Sequence, residues 1–197
     1  MVEVNVAELV REAVLSADAK TKDNPDRSAQ KLHRARSSAF VGALGEGFQN
    51  YYAADSRVKV LWQGNRELRK EFGMNELLFD LTVCESTTVP SPRLGTPLTV
   101  VTNGLWSVES EFARDARQSV FDFNKLVLSS AENKLFIAPV VDDGLVEKLL
   151  KTLGAVADNC SGNVILALVP HPRTWDNGRQ EIPMSWKRYE RKWELLD

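Results

Sequence analysis

Apolar positions along the chain follow two rhythms, and the change between them marks the architecture. Val6, Leu9, Val10, Ala13 and Val14 recur at helical spacing, with Glu8, Arg11 and Glu12 opposite, which predicts a short amphipathic helix over 6–16. Residues 17–27 are polar and contain Asn24-Pro25, so they read as a hinge or loop. Ser28 then opens a long helix to about Tyr52, with Leu32, Ala39, Phe40, Ala43, Leu44, Phe48, Tyr51 and Tyr52 as its stripe. Gly42, Gly45 and Gly47 lower helix propensity there and fit a close packing partner.

Beyond Tyr52 the period falls to two. Strands are predicted at Val58–Trp62, Glu76–Cys84 and Leu105–Phe112, with Pro90, Pro92, Gly95 and Pro97 marking a loop before the third. Asp115–Ser129 returns to helical spacing, Leu135–Val141 is a strand, and Asp143–Val156 is a helix. Val164–Val169 is continuously apolar, as strands covered on both faces are. In the tail, Trp186, Tyr189 and Trp193 sit at helical spacing and read as core or dimer packing. Three consecutive strands suggest a meander, and the alternation after them a crossover onto a parallel portion. The expected fold is α/β, a mixed central sheet of about five strands flanked by helices. Residues 1–27 are an N-terminal helix and linker, 28–170 the core, and 171–197 an aromatic and basic tail packed on it.

Composition narrows the classes without choosing among them. The chain has 197 residues, 43% hydrophobic and 26% charged, enough for one core without metal or disulfide staples. No apolar run reaches the roughly 20 residues of a membrane span. The start carries Glu3 and Glu8 and no cationic apolar leader, so a cytoplasmic protein with two reduced cysteines, Cys84 and Cys160, is expected. The two histidines, His33 and His171, make a His-rich metal site or a Ser-His triad improbable.

Candidate chemistry lies in the second and third predicted strands. In Gly104–Phe112, alternation puts Trp106, Val108, Ser110 and Phe112 on one face and Ser107, Glu109 and Glu111 on the other. Asp80 interrupts the apolar run Leu77–Val83. If the strands are neighbours, three carboxylates converge, and hard oxygen ligands of that kind suit Mg²⁺. A strand with both glutamates facing solvent satisfies the same pattern without a metal. On the following helix Asp122 and Lys125 are three apart, with Gln118 and Ser129 on the same side. This is either a surface salt bridge or a lysine aimed at the strand carboxylates.

Asp80, then Glu109-x-Glu111, then a helix containing Asp-Phe-Asn-Lys-Leu resembles the PD-(D/E)xK nuclease superfamily, which includes restriction endonucleases. The order of elements over about 28–170 matches the core of that superfamily. Two departures stand out: Phe79 replaces the usual Pro before Asp80, and Glu111 holds the usual Lys position. The resemblance implies a DNA endonuclease hydrolysing phosphodiester bonds, with Asp80 and Glu109 holding Mg²⁺ (Mn²⁺ substituting). Glu46 on the long helix matches the helix glutamate as a further metal ligand, directly or through water; an exposed helix residue satisfies the same position. Glu111 or Lys125 would orient or deprotonate the attacking water.

DNA demands cations. Residues 20–36 hold six, among them Lys31, Arg34 and Arg36, and residues 57–70 hold five, among them Arg66 and Arg69. These are the expected phosphate contacts, although solvated helix faces carry the same pattern and the net charge is −2. By resemblance the partner is DNA, and relatives of this type commonly act as symmetric homodimers; no membrane partner is expected from the apolar pattern. The competing expectation is a catalytically silent nuclease-like fold that acts as a binding or regulatory protein.

Overall fold

The computed structural model describes residues 4–22, 28–73, 76–91, 95, 97–113, 116–140, 143–175 and 184–196. Two helices, α1 (Val6–Thr21) and α2 (Ala29–Tyr51), precede β1 (Val58–Trp62), α3 (Arg66–Phe72), β2 (Leu81–Val89) and β3 (Leu98–Ser110). Then come α4 (Ala116–Val127), β4 (Asn133–Val140), α5 (Asp143–Ala157), β5 (Asn163–Pro170), β6 (Met184–Tyr189) and β7 (Lys192–Leu196). Side-chain caps fix the first helix starts: Asn5 accepts from Glu8 N and Ser28 from Lys31 N.

All seven strands form one sheet in sequence order. β1, β2 and β3 are antiparallel, β3, β4 and β5 parallel, and β5, β6 and β7 antiparallel. The parallel pairs need crossovers, which α4 and α5 supply. Successive right-handed crossovers in one direction put both helices on the same face. Phe123, Leu126, Phe136, Leu153 and Leu166 form the core there. On the opposite face α1 and α2 cover Val60, Leu81, Val83, Trp106, Val108 and Ile165. The middle strands are covered on both faces, so β4 and β5 are almost continuously buried.

Glycine in α2 has a packing reason. A Cβ on Gly45 would lie 2.6 Å from the Trp62 ring, and one on Gly47 would lie 2.5 Å from Leu9 Cδ1. Those contacts let α2 settle on β1 and α1.

The sheet has seven strands where about five were expected, and the difference lies in the tail. Trp186, Tyr189 and Trp193 belong to the β6–β7 hairpin, whose turn residues Glu190 and Arg191 have φ 44° and 66°. That turn matches the twist of paired strands. Trp193 packs under Arg188 and donates to the Leu150 carbonyl at 2.7 Å, while Tyr189 is exposed. Their helical spacing was coincidental.

Other boundaries move as well. Asp80 precedes β2 rather than lying inside a strand from Glu76. The Pro-rich stretch read as a loop contains strand at both ends, since Ser86–Val89 pairs with Leu98–Val101. α3, not anticipated, is capped by Asn65 and stopped by Gly73 at φ 73°.

Candidate functional site

The end of β3 brings the predicted carboxylates to one place. Leu81 pairs with Val108, so Asp80 arrives beside Glu109 and Ser110. Asp80 Oδ2 accepts from Ser110 N at 2.9 Å and from Ser110 Oγ at 2.7 Å. Alternation sends Trp106 and Val108 into the α1/α2 core and turns Ser107 and Glu109 toward α4. Glu109 is only 2% exposed at its side chain, so its charge needs a partner.

Lys125 supplies it. Its Nζ lies 3.0 Å from Glu109 Oε2 and 3.0 Å from Asp122 Oδ1. Glu109 Oε1 has no hydrogen-bond partner. Burial pushes the Glu109 carboxyl up to about 7; the bond from Lys125 opposes this and the charge of Asp80 adds to it. Burial works against the Lys125 cation too, but its two carboxylate partners outweigh that and raise its pKa above the ordinary value.

Glu111 takes a different course. Its carboxylate accepts from Ala113 N and hydrogen-bonds the Asp122 carboxyl. Burial, and then the proximity of Asp122, raise its pKa. Asp122 is opposed by burial but held below its usual range by hydrogen bonds from Gln118, Glu111 and Lys125. The result is one network running Glu111–Asp122–Lys125–Glu109, with Asp80 alongside. Among the described residues, no three His, Cys, Asp or Glu side chains are grouped as a metal site would be. Mg²⁺ is commonly held by one or two carboxylates with waters and phosphate oxygens, and the orphaned Glu109 oxygen beside Asp80 fits that chemistry.

Asp80, Ser110 and Glu111 open onto a cleft of about 470 Å³, whose other wall includes His33, Arg34, Ser37 and Ser38 of α2. Gln63 and Gly64, just before α3, also line it. Of the expected DNA contacts, Arg34 therefore reaches the cleft, Lys31 is exposed on the same helix, and Arg66 and Arg69 are exposed on α3. Two expectations are corrected. Arg36 is buried at 1% exposure: its Nη1 donates to Pro172 O at 2.7 Å, and its guanidinium lies 5.6 Å from the Trp175 ring centre, so it cannot face DNA. Glu46 is exposed and paired with Lys20 Nζ at 2.9 Å, one turn past the cleft-lining Gly42, and does not join the carboxylates.

Sequence reasoning left out Asp122, Ser110, Gln118 and His33 as site residues. The spacing of Gln118, Asp122 and Lys125 was a usable signal, because all three share one side of α4. Ser110 and His33 had none, since each acquires its neighbour only through the fold. No family model matches the chain, and no curated protein or solved structure was found to be similar to it. Among the described residues, no helix is long and apolar enough to cross a membrane.

Proposed function

We propose that this protein is a Mg²⁺-dependent DNA endonuclease of the restriction-like type, with its site at the end of β3. The observation that carries the reading is Asp80 beside Glu109, with Lys125 bonded to Glu109, at the edge of an open cleft. The order α2, three antiparallel strands with α3 inserted between β1 and β2, then α4 and the parallel strand β4, supports it.

Asp80 and Glu109 are the residues that would hold the metal. Bound there, Mg²⁺ lowers the pKa of water and offsets charge on the phosphoryl oxygens. The Lys125 bond opposes the effect of burial on Glu109, so that an ionised ligand is populated at neutral pH. Glu111, tied to Asp122 and Ala113, is placed to orient water at the cleft. Arg34 on one wall and Arg66 and Arg69 near the other neutralise backbone phosphates.

Plasmid nicking with Mg²⁺ or Mn²⁺ tests the activity directly. Absence of nicking by wild type across metals and DNA substrates, with DNA binding retained, would select the silent binding module. Lys125→Ala is expected to lower cleavage about 10²- to 10³-fold, comparable to losing one electrostatic donor. Its melting temperature stays near that of wild type, because Glu109 takes up a proton instead of remaining a buried charge. Full activity in this variant would retire the role given to Lys125.

Binding has its own signature. Each of Arg34→Ala, Arg66→Ala and Arg69→Ala is expected to weaken DNA affinity and reduce the slope of log affinity against log salt by about 1. Unchanged slopes in all three would place the DNA elsewhere.

A further inference from the structure

We propose that His33 is a further catalytic residue of this site, accepting a hydrogen bond from the water that attacks the phosphodiester. The inference rests on the nuclease reading and adds to it a residue from α2, a helix otherwise assigned to DNA contact.

The ring of His33 is fixed from two sides. One ring N–H donates to the backbone carbonyl of Phe112, the residue after Glu111. The imidazole also stacks on His171, with centroids 5.2 Å apart and planes 27° apart. His171 is itself anchored, buried and accepting at Nδ1 from Arg173 N at 3.1 Å. So His33 holds one orientation on the cleft that Asp80 and Glu111 also line.

Its second nitrogen decides what it can bind. Burial, reinforced by the charge of Arg173, lowers the His33 pKa, with the Phe112 bond opposing. Other ionisable groups around the ring are His171 after β5, Arg34 on α2, and Glu76, Asp80 and Glu111 along the cleft. A neutral imidazole that donates through one nitrogen carries a lone pair on the other. Phosphate diester oxygens have no hydrogen to offer that lone pair, whereas water does. Acceptor chemistry on a wall facing carboxylates therefore suits the nucleophile rather than the phosphate.

In the reaction the water oxygen bonds to phosphorus and the bond from phosphorus to the leaving sugar oxygen breaks. The water's proton passes to solvent, and the leaving oxygen takes one from solvent. His33 orients the water and keeps its own proton throughout.

The test uses His33→Phe, which keeps a ring for stacking, and His33→Gln, which keeps a donor and an acceptor. Expected is a loss in kcat of about 10²-fold for the Phe variant with KM for DNA unchanged, and partial recovery in the Gln variant. A purely structural strut would instead lower the melting temperature and leave kcat alone. Nitrogen-15 NMR of the wild type, with the two histidines told apart by His171→Asn, should show one protonated and one unprotonated ring nitrogen in His33 at pH 7. Wild-type kcat in His33→Phe, a changed cutting site with unchanged kcat, or two protonated nitrogens would each overturn the role. Glu109→Gln is run in parallel. Loss there with normal His33→Phe cleavage defeats this inference alone, while no cleavage by any form defeats the nuclease reading too.

Discussion

Glu109→Gln is expected to reduce DNA cleavage by about 10³-fold or more, equivalent to about 4 kcal/mol of transition-state stabilisation. The amide keeps the shape of the side chain and removes its charge, so a loss this large would report metal and phosphoryl electrostatics rather than misfolding. DNA affinity should hold or rise, since negative charge is removed from beside the cleft-lining Asp80. The same substitution has a second, independent readout in stability without metal. The folded carboxyl titrates near 7 against 4.5 for the free side chain, so the folded protein holds its proton more tightly. The stabilising contribution of that bound proton is fully present below about pH 4.5 and is lost as pH rises to about 7, amounting to about 3 kcal/mol. Urea unfolding in a chelator should show wild type losing stability across that window and Glu109→Gln staying flatter. A cleavage loss of less than tenfold would remove Glu109 from the chemistry. Identical pH slopes would mean that the buried charge is already balanced.

The parts of this site legible in sequence were those fixed by strand and helix periods. Alternation separated Trp106 and Val108 from Glu109 because β3 pairs regularly and is buried from Trp106 to Glu109, past the register shifts in its first half. The i,i+3 spacing placed Asp122 and Lys125 together for the same reason. Legibility ended where the period ended. Glu111 lies beyond β3: its backbone N–H donates to the Ile137 carbonyl, and its carboxylate is set by Ala113 and Asp122 rather than by alternation. Asp80 lies before β2, where Ser110 determines its position. The hairpin of β6 and β7 was misread because positions three and seven apart occur by chance in a short aromatic segment, while the turn that decides the matter uses ordinary residues at positive φ. Glu46 shows a related failure: it continues the α2 stripe that lines the cleft, and only the packing of α1 brings Lys20 to claim it.

Arg36→Ala is expected to destabilise the fold by about 3–5 kcal/mol, the range for removing one partner from a buried polar arrangement. Read in sequence, Arg36 is one cation among six. In the fold it occupies the buried stripe of α2 with Phe40, Ala43 and Leu44, a continuation at i+4, i+7 and i+8 that the periodicity of the chain already contained. Its guanidinium fills space against Trp175 and donates to the Pro172 carbonyl, tying α2 to the segment after β5, with Asp18 of α1 at 4.0 Å. Truncation leaves a void, an unpaired carbonyl and a carboxylate without its nearest cation. For a chain of this size the melting temperature should fall by about 10 °C. Arg36→Lys is expected to recover little, because an ammonium cannot reproduce the planar contact with Trp175. DNA affinity of the remaining folded protein, and its salt slope, should match wild type, whereas Arg34→Ala should change both and leave melting untouched. Calorimetry and salt-dependent binding on the two variants separate the neighbouring arginines. A stable Arg36→Ala protein with a reduced salt slope would reverse the assignment and return Arg36 to the DNA face.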